Sequence, residues 1–282
     1  MKVRIIVDSS ADVSEHVRQR LTVVPLTVRF GDHEYIDGMT ITRQEFYEKL
    51  IESDELPSTS QATPDSFSKV FAEVAAKGEC AVVLTISSKL SGTYQSAMIA
   101  AEDYPDCIFV VDGKSAATGS GILAERALQL ADDGMDAKEI AEHLTEEREN
   151  VCLIALLDTL EYLKRGGRIS KAVAFAGGIL SIKPVIGLKE GEVVMLGKAR
   201  GSKQGNNLLI KEIEEAGGVD YDKPVLLGYS GLSDILLQKY IVDSAAFWEG
   251  KLAALQTTQI GSVIGTHAGP GAIVATFFKR KN

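Results

Sequence analysis

Short apolar runs alternate with amphipathic stretches along the first half of the chain. Near-continuous apolar segments at residues 3–8, 23–30, 81–86, 107–111 and 151–157 predict strands buried on both faces. Between them, helical spacing of apolar positions covers 14–21, 44–51, 65–76, 93–101, 116–131 and 137–149. One helix start is well marked: Thr63-Pro64-Asp65 supplies a capping hydroxyl, a first-turn proline and an acid that suits the helix dipole. The alternation predicts an α/β fold, an open and mainly parallel sheet with helices on both faces.

The rhythm changes after about residue 158. Residues 182–188 and 193–196, joined by Lys189-Glu190-Gly191-Glu192, predict a hairpin with a glycine in its turn. Helices are expected at 203–216 and 233–248, strands at 225–229 and 273–278, and a glycine-rich connection at 261–271. These elements predict a second, smaller α+β domain. The division expected is 1–158 for the α/β domain and 159–282 for the α+β domain. No Ser/Pro linker separates them, so close packing is expected. The chain carries no internal repeat and no low-complexity tract.

Charge narrows the function. With 30 Lys+Arg against 39 Asp+Glu the net charge is −9, and no basic block offers the phosphate neutralisation on which nucleic-acid binding depends. A nucleic-acid partner is therefore not expected. No apolar run approaches the ~20 residues of a membrane helix, and the N-terminal apolar stretch is too short for a secretory signal. Cys80, Cys107 and Cys152 are odd in number, widely spaced and set in apolar runs. They read as buried free thiols in a reducing, cytoplasmic setting.

In an open α/β sheet the ligand site lies beyond the carboxyl ends of the strands. The loops expected there are rich in hydroxyls: Asp8-Ser9-Ser10, the run from Ser87 to Thr93, and Asp112-Gly113-Lys114-Ser115, with Ser58 to Thr63 preceding a helix. Ser91-Gly92-Thr93 is the sharpest segment. A small residue at a helix start exposes backbone N–H groups to an anion, and flanking hydroxyls add donors; equally, Ser91 caps its own helix. Ser58 to Thr63 taken alone reads as a loop, and Asp8 as a structural hydrogen-bonding carboxylate. Among the histidines only His267 lies in a tightly turned stretch, within Gly261 to Gly271. A Walker loop, a dinucleotide fingerprint, a zinc-protease motif and a nucleophile elbow are all missing from the sequence, and no metal cluster is expected. Arg168, with Lys198, Arg200 and Lys203, forms either a local basic rim or a solvated face.

Together these segments resemble the DegV family from residue 3 to 278. The resemblance is carried by Val7-Asp8-Ser9-Ser10-Ala11-Asp12, Leu56-Pro57-Ser58-Thr59-Ser60-Gln61, Leu90-Ser91-Gly92-Thr93-Tyr94-Gln95-Ser96-Ala97, the stretch from Leu160 through Gly166-Gly167-Arg168-Ile169-Ser170, and Gly265-Thr266-His267-Ala268-Gly269-Pro270-Gly271. Two departures are visible: Ala62 stands in place of a proline after Gln61, and Gly113 where Ser or Thr is common. The resemblance implies a long-chain fatty acid held in a buried tunnel between two α/β domains. It implies a carboxylate site at Thr59, Ser60, Ser91, Gly92, Thr93 and His267. It also implies a non-catalytic protein without cofactor that presents the acid to a separate fatty acid kinase, with Arg168 and Arg200 facing that partner. Each buried methylene is worth ~0.8 kcal/mol, so roughly a dozen supply ~10 kcal/mol before association costs. An apolar tunnel and an uncharged hydroxyl cradle, without a buried Lys or Arg, would then suffice. The small-residue apolar stretch 172–180 reads as tunnel wall or as ordinary core helix. The competing reading is a phosphoryl- or acyl-transferring enzyme that uses Ser91 to Thr93 and His267 on a small carboxylate. Against it, nucleophile, base and metal ligands are not assembled in the sequence.

Overall fold

The computed structural model describes residues 2–53, 55–169, 182–252 and 255–280. The predicted parallel sheet is present as four strands in the order β2-β1-β6-β7 (Thr22–Val24, Val3–Asp8, Cys80–Thr85 and Ile108–Asp112), every pairing parallel. Its near-continuous apolar strands need cover on both faces. One face is covered by α5 (Ala117–Asp132) and α6 (Ala137–Glu147), through Ile122, Leu123, Leu128, Ile140 and Leu144. The other is covered by α2 (Arg43–Glu52), α3 (Pro64–Ala76) and α4 (Thr93–Ala101), through Phe46, Phe67, Phe71, Val74 and Ala97. A short helix, α1 (Glu15–Arg18), links β1 to β2. The expected cap of α3 is in place, Thr63 Oγ1 accepting from the Ser66 N–H at 3.2 Å.

The stretch expected to be one strand at 23–30 is two strands in different sheets. Pro25 has no N–H and cannot continue a central ladder. The chain turns there, β2 staying in the parallel sheet while β3 (Thr27–Phe30) starts an antiparallel sheet of order β4-β3-β5 with β4 (His33–Ile36) and β5 (Ser58–Ser60). Ser58 to Ser60 is thus not loop but edge strand.

The second sheet has the order β10-β9-β8-β13-β11-β12. Its strands are β8 (Val151–Leu156), β9 (Ile182–Lys189), β10 (Glu192–Arg200), β11 (Leu226–Tyr229), β12 (Gln256–Gln259) and β13 (Ile273–Phe278). Pairing is antiparallel except between β11 and β12. Residues 151–156, assigned above to the first domain, belong to this sheet, because β8 pairs with β13 and β9. With six strands it is also the larger sheet rather than the smaller. Period-two alternation divides its side chains. Ile154, Leu156, Val185, Ala275 and Phe277 meet α8 (Gly201–Glu215) and α9 (Ile235–Asp243) through Leu209, Ile213, Leu237 and Tyr240, with Trp248 beyond them. Leu153, Ala155, Ile186 and Val274 point the other way, toward the first sheet. The apolar stretch 172–180 and Ser170 lie outside the described residues.

Within the glycine-rich connection lies a helix that its composition concealed, α10 (Ser262–Ala268). It leaves the second sheet and packs on α2. A Cβ at Gly265 would fall 2.7 Å from Phe46 and 2.8 Å from the Tyr47 hydroxyl, the Tyr47 hydroxyl donates to the Ile260 carbonyl at 3.0 Å, and Asp12 Oδ1 accepts from the Gly261 N–H at 2.7 Å and from Arg43 at 3.2 Å. This close approach gives an expected outcome. Gly265→Ala overpacks the α2–α10 contact and lowers unfolding free energy by about 1–3 kcal/mol, measurable by denaturant titration.

Candidate functional site

A cavity of about 400 Å³ lies between the inner face of the second sheet and the loops at the carboxyl ends of the parallel sheet, within the ~300–1,000 Å³ range of ligand pockets. Leu153, Ala155, Ile186, Leu188, Val193 and Val274 form one wall. Ile86, Leu90, Ala116 and Ala117 form another, and Ile260, Val263, Ile264 and Ala268 bring in α10. Ala117 has a φ of 51°, a left-handed conformation that costs a β-carbon-bearing residue roughly 1–2 kcal/mol. Its carbonyl accepts from the Asp12 N–H at 3.1 Å, which ties it to the loop after β1.

One end of this cavity is polar. Thr59, Ser60, Ser91, Gly92 and His267, five of the six residues expected at a carboxylate site, line it together. They arrive from three places: edge strand β5, the entry to α4, and α10. The sixth, Thr93, is fully buried behind Ser91, the two hydroxyl oxygens 2.9 Å apart. The N-cap of α4 is Gly92, and Ser91 Oγ accepts from the Thr93 N–H at 3.3 Å while the residue lines the cavity. Gly92 has no room for a side chain, because a Cβ would lie 2.1 Å from Gln61 Oε1. Asp8 is structural: its Oδ2 accepts from the Ile86 N–H at 2.7 Å and Oδ1 from the Ser10 N–H at 2.9 Å, joining the ends of β1 and β6.

The geometry around His267 is tight. Its Nε2 lies 2.9 Å from Thr59 Oγ1, and its buried Nδ1 has no hydrogen-bond partner among the described residues. A Cβ at Gly166 would come within 2.2 Å of that nitrogen, so this glycine after α7 (Glu161–Arg165) admits the ring, while Gly167, at φ 69°, lets the chain turn away. Burial, and then the charge of Arg168, lower the imidazole pKa to about 4, so the ring is neutral at pH 7. A Thr–His hydrogen bond is the skeleton of a nucleophile–base pair. Among the described residues no carboxylate orients Nδ1, and an imidazole held near pKa 4 is a weak base.

A half-buried cation stands at the edge of the cradle. Arg168 lines the cavity, its Nη1 donating to the Gly166 carbonyl at 2.6 Å and its Nε to the Leu90 carbonyl at 3.1 Å. Those carbonyls hold the guanidinium at the rim instead of inside. Arg200 lies elsewhere, exposed at the end of β10, its N–H donating to Gln204 Oε1 at 3.0 Å. A lining residue left off the expected set is Gln61, which spans the gap between β5 and α4 with its Nε2 donating to Ser96 Oγ at 2.9 Å. Its only sequence signal is its place in the segment Thr59-Ser60-Gln61, beside a glycine that cannot be seen as its neighbour until the chain folds.

Beyond Thr59, Arg168 and His267 lies a second, polar cleft of about 730 Å³, which those three residues also line. Arg29, Glu55, Tyr162 and Arg165 complete its walls. The Thr59–His267 pair is therefore a partition, apolar on one side and hydrophilic on the other.

A family model described as "Uncharacterised protein, DegV family" matches residues 2–280. A DegV domain-containing protein of Caldanaerobacter subterraneus subsp. tengcongensis is 34% identical over 285 residues, covering 99% of each chain. Among solved structures, one described as fatty acid binding of a DegV family protein from Thermus thermophilus is 31% identical, with TM-score 0.87 over 99% of this chain and 100% of that one. The Streptococcus pneumoniae fatty acid kinase B3 protein, loaded with linoleic acid, is 25% identical with TM-score 0.85, over 99% and 100% of the two chains.

The depressed His267 pKa has a measurable consequence. The unfolded chain binds this proton near pH 6.5 and the folded one only near pH 4, so the unfolded state takes up more protons in between. Stability therefore falls as pH drops from about 6.5 to 4, by roughly 3 kcal/mol at most for this group. Denaturant titrations of the wild type and His267→Gln across that window are expected to converge as pH falls, because only the wild type carries the penalty.

Proposed function

Because the chain belongs to the DegV family, we propose that it binds a long-chain fatty acid and presents the carboxylate to a fatty acid kinase for acyl phosphate formation. The observation that carries this reading is the cavity of about 400 Å³ ending at Thr59 and His267, where a polar cleft begins. An acyl chain is driven into such a space by burial of its methylenes, ~0.8 kcal/mol each. The carboxylate would stop at the partition and accept hydrogen bonds from the Thr59 and Ser91 hydroxyls and the Ser60 and Gly92 surroundings. Thr93 supports this site by fixing Ser91.

A neutral His267 suits that task. A Thr59 hydroxyl that donates to Nε2 leaves its oxygen for another donor, whereas one that accepts from a protonated Nε2 is free to donate to a carboxylate. The tautomer with hydrogen on Nε2 is the one that turns the Thr59 hydroxyl toward the ligand. Arg168, pinned at the rim by two carbonyls, supplies positive potential on the cleft side, where negative charge would develop during phosphoryl transfer. Arg200 would act as a more distant contact for the partner. The catalytic machinery for the transfer would belong to the kinase, and both proteins would act in the cytoplasm.

Two measurements test the reading. Native mass spectrometry of the purified protein is expected to show a bound fatty acid, and Thr59→Ala with Ser91→Ala is expected to weaken fatty acid affinity about 10- to 100-fold, the loss of two hydrogen bonds to a charged group. Unchanged affinity would remove the hydroxyl cradle from the argument. In a reconstituted assay with a kinase subunit and ATP, trapping acyl phosphate with hydroxylamine, Arg168→Ala is expected to slow transfer more than it weakens binding. ATP turnover by this chain alone, lost in His267→Ala, would instead favour the transferase reading.

A further inference from the structure

Strand β7 is an edge of the parallel sheet, and beside it runs a groove of about 580 Å³ between α4 and α6 that shares no residue with the fatty acid cavity. The ladder decides which main-chain groups of β7 face that groove. The Ala81 N–H donates to the Cys107 carbonyl at 2.7 Å and the Gly113 N–H to the Thr85 carbonyl at 3.0 Å; Ala81, Val83 and Thr85 stand opposite Ile108, Val110 and Asp112. In a parallel ladder this parity turns the polar groups of Phe109 and Val111 toward β6 and those of Ile108, Val110 and Asp112 outward. Two outward groups are occupied. The Ile108 N–H donates to the Tyr104 carbonyl at 3.1 Å, and the Asp112 carbonyl accepts from Arg148 Nη1 at 2.6 Å. The N–H and carbonyl of Val110, with the Ile108 carbonyl and the Asp112 N–H, are left facing the groove.

Such a row is the template that an added strand pairs with. Met98 and Phe109 give the groove apolar walls, and its rim carries Glu102, Glu142 and Glu146 against Lys138, which itself lies 4.0 Å from Glu142. We propose that the β7 edge takes up an extended segment of a partner protein in which apolar and basic residues alternate. Its main chain pairs with Val110, its apolar side chains point to the α4 side beside Met98, and its cations point to the α6 side toward Glu142 and Glu146. A second copy of this chain would bring the same carboxylates against one another, so charge opposes self-pairing while favouring a basic strand.

The test uses the full chain and two fluorescein-labelled peptides, Lys-Val-Lys-Val-Lys-Val-Lys and its acidic counterpart Glu-Val-Glu-Val-Glu-Val-Glu, followed by anisotropy at low salt. The basic peptide is expected to bind saturably, about tenfold or more tighter than the acidic one, and to slow hydrogen exchange at the Val110 amide. Glu142→Lys combined with Glu146→Lys is expected to weaken binding about fivefold. Val110→Pro deletes the outward donor at an edge position where proline is tolerated, and is expected to weaken it comparably while circular dichroism and fatty acid affinity stay unchanged. If proline unfolds the chain, the charge reversals and the Val110 exchange rate decide. Equal binding of both peptides, an unaffected Val110 amide, or charge reversals without effect would overturn the proposal. So would a concentration-dependent dimer in sedimentation, which would make a second copy the occupant.

Discussion

A sheet with two apolar faces has to cover both, and the second sheet covers its outer face with helices of its own and its inner face only in part, with α5 and α10. Leu209, Ile213, Leu237 and Tyr240 close that side as a conventional core. The inner face, Leu153, Ala155, Ile186 and Val274, meets the strand-end loops of a different sheet. Where α5 and α10 do not reach, loops built around hydroxyls and backbone turns cannot interdigitate with aliphatic side chains as a helix would, and a cavity is left. The placement of the cavity, its apolar walls and its single polar end all follow from this mismatch between one surface made for packing and another made for hydrogen bonding.

The polar end works through restraint. Burial holds the imidazole of His267 neutral, and Gly166 and Gly92 give up side chains so that the histidine and Gln61 can come close. Arg168 is bound by two carbonyls, so its charge is felt at the boundary without entering the apolar space. A guanidinium inside would have gripped a carboxylate far more strongly. Under the proposed function, keeping it at the rim would leave the hold on an acidic head group modest and the hold on an oily tail large.

Much of the first sheet was legible because buried parallel strands declare themselves as apolar runs and because cap residues mark helix starts. The failures have local causes. Pro25 splits one apolar run between two sheets, which hydropathy cannot register. Ser58 to Ser60 is all hydroxyl, so its strand character comes from pairing with Thr27 to Arg29. Gly261 and Gly265 hid a helix, because in the sequence they signal turns, whereas in the fold they answer the nearness of Asp12, Phe46 and Tyr47. Residues 151–156 read equally well as the last strand of one sheet or the first of another, and only tertiary pairing separates the two. The site residues surfaced early because they sit in motifs; Arg168 lining the cavity and Gln61 bracing it depended on contacts 78 and 35 positions away along the chain.

Helix α10 lies between β12 and β13 of the second sheet in sequence yet is fastened to the first unit by Asp12, Tyr47 and Asp37. Its far end is held against Tyr162, since a Cβ at Gly269 would fall 2.3 Å from that ring. The chain thus stitches its halves together across the cavity. Prising them apart like a clam shell would tear out the very helix that bears His267. Under the proposed function, loading and discharge would call for local loosening of one wall, with the seam between the sheets left intact.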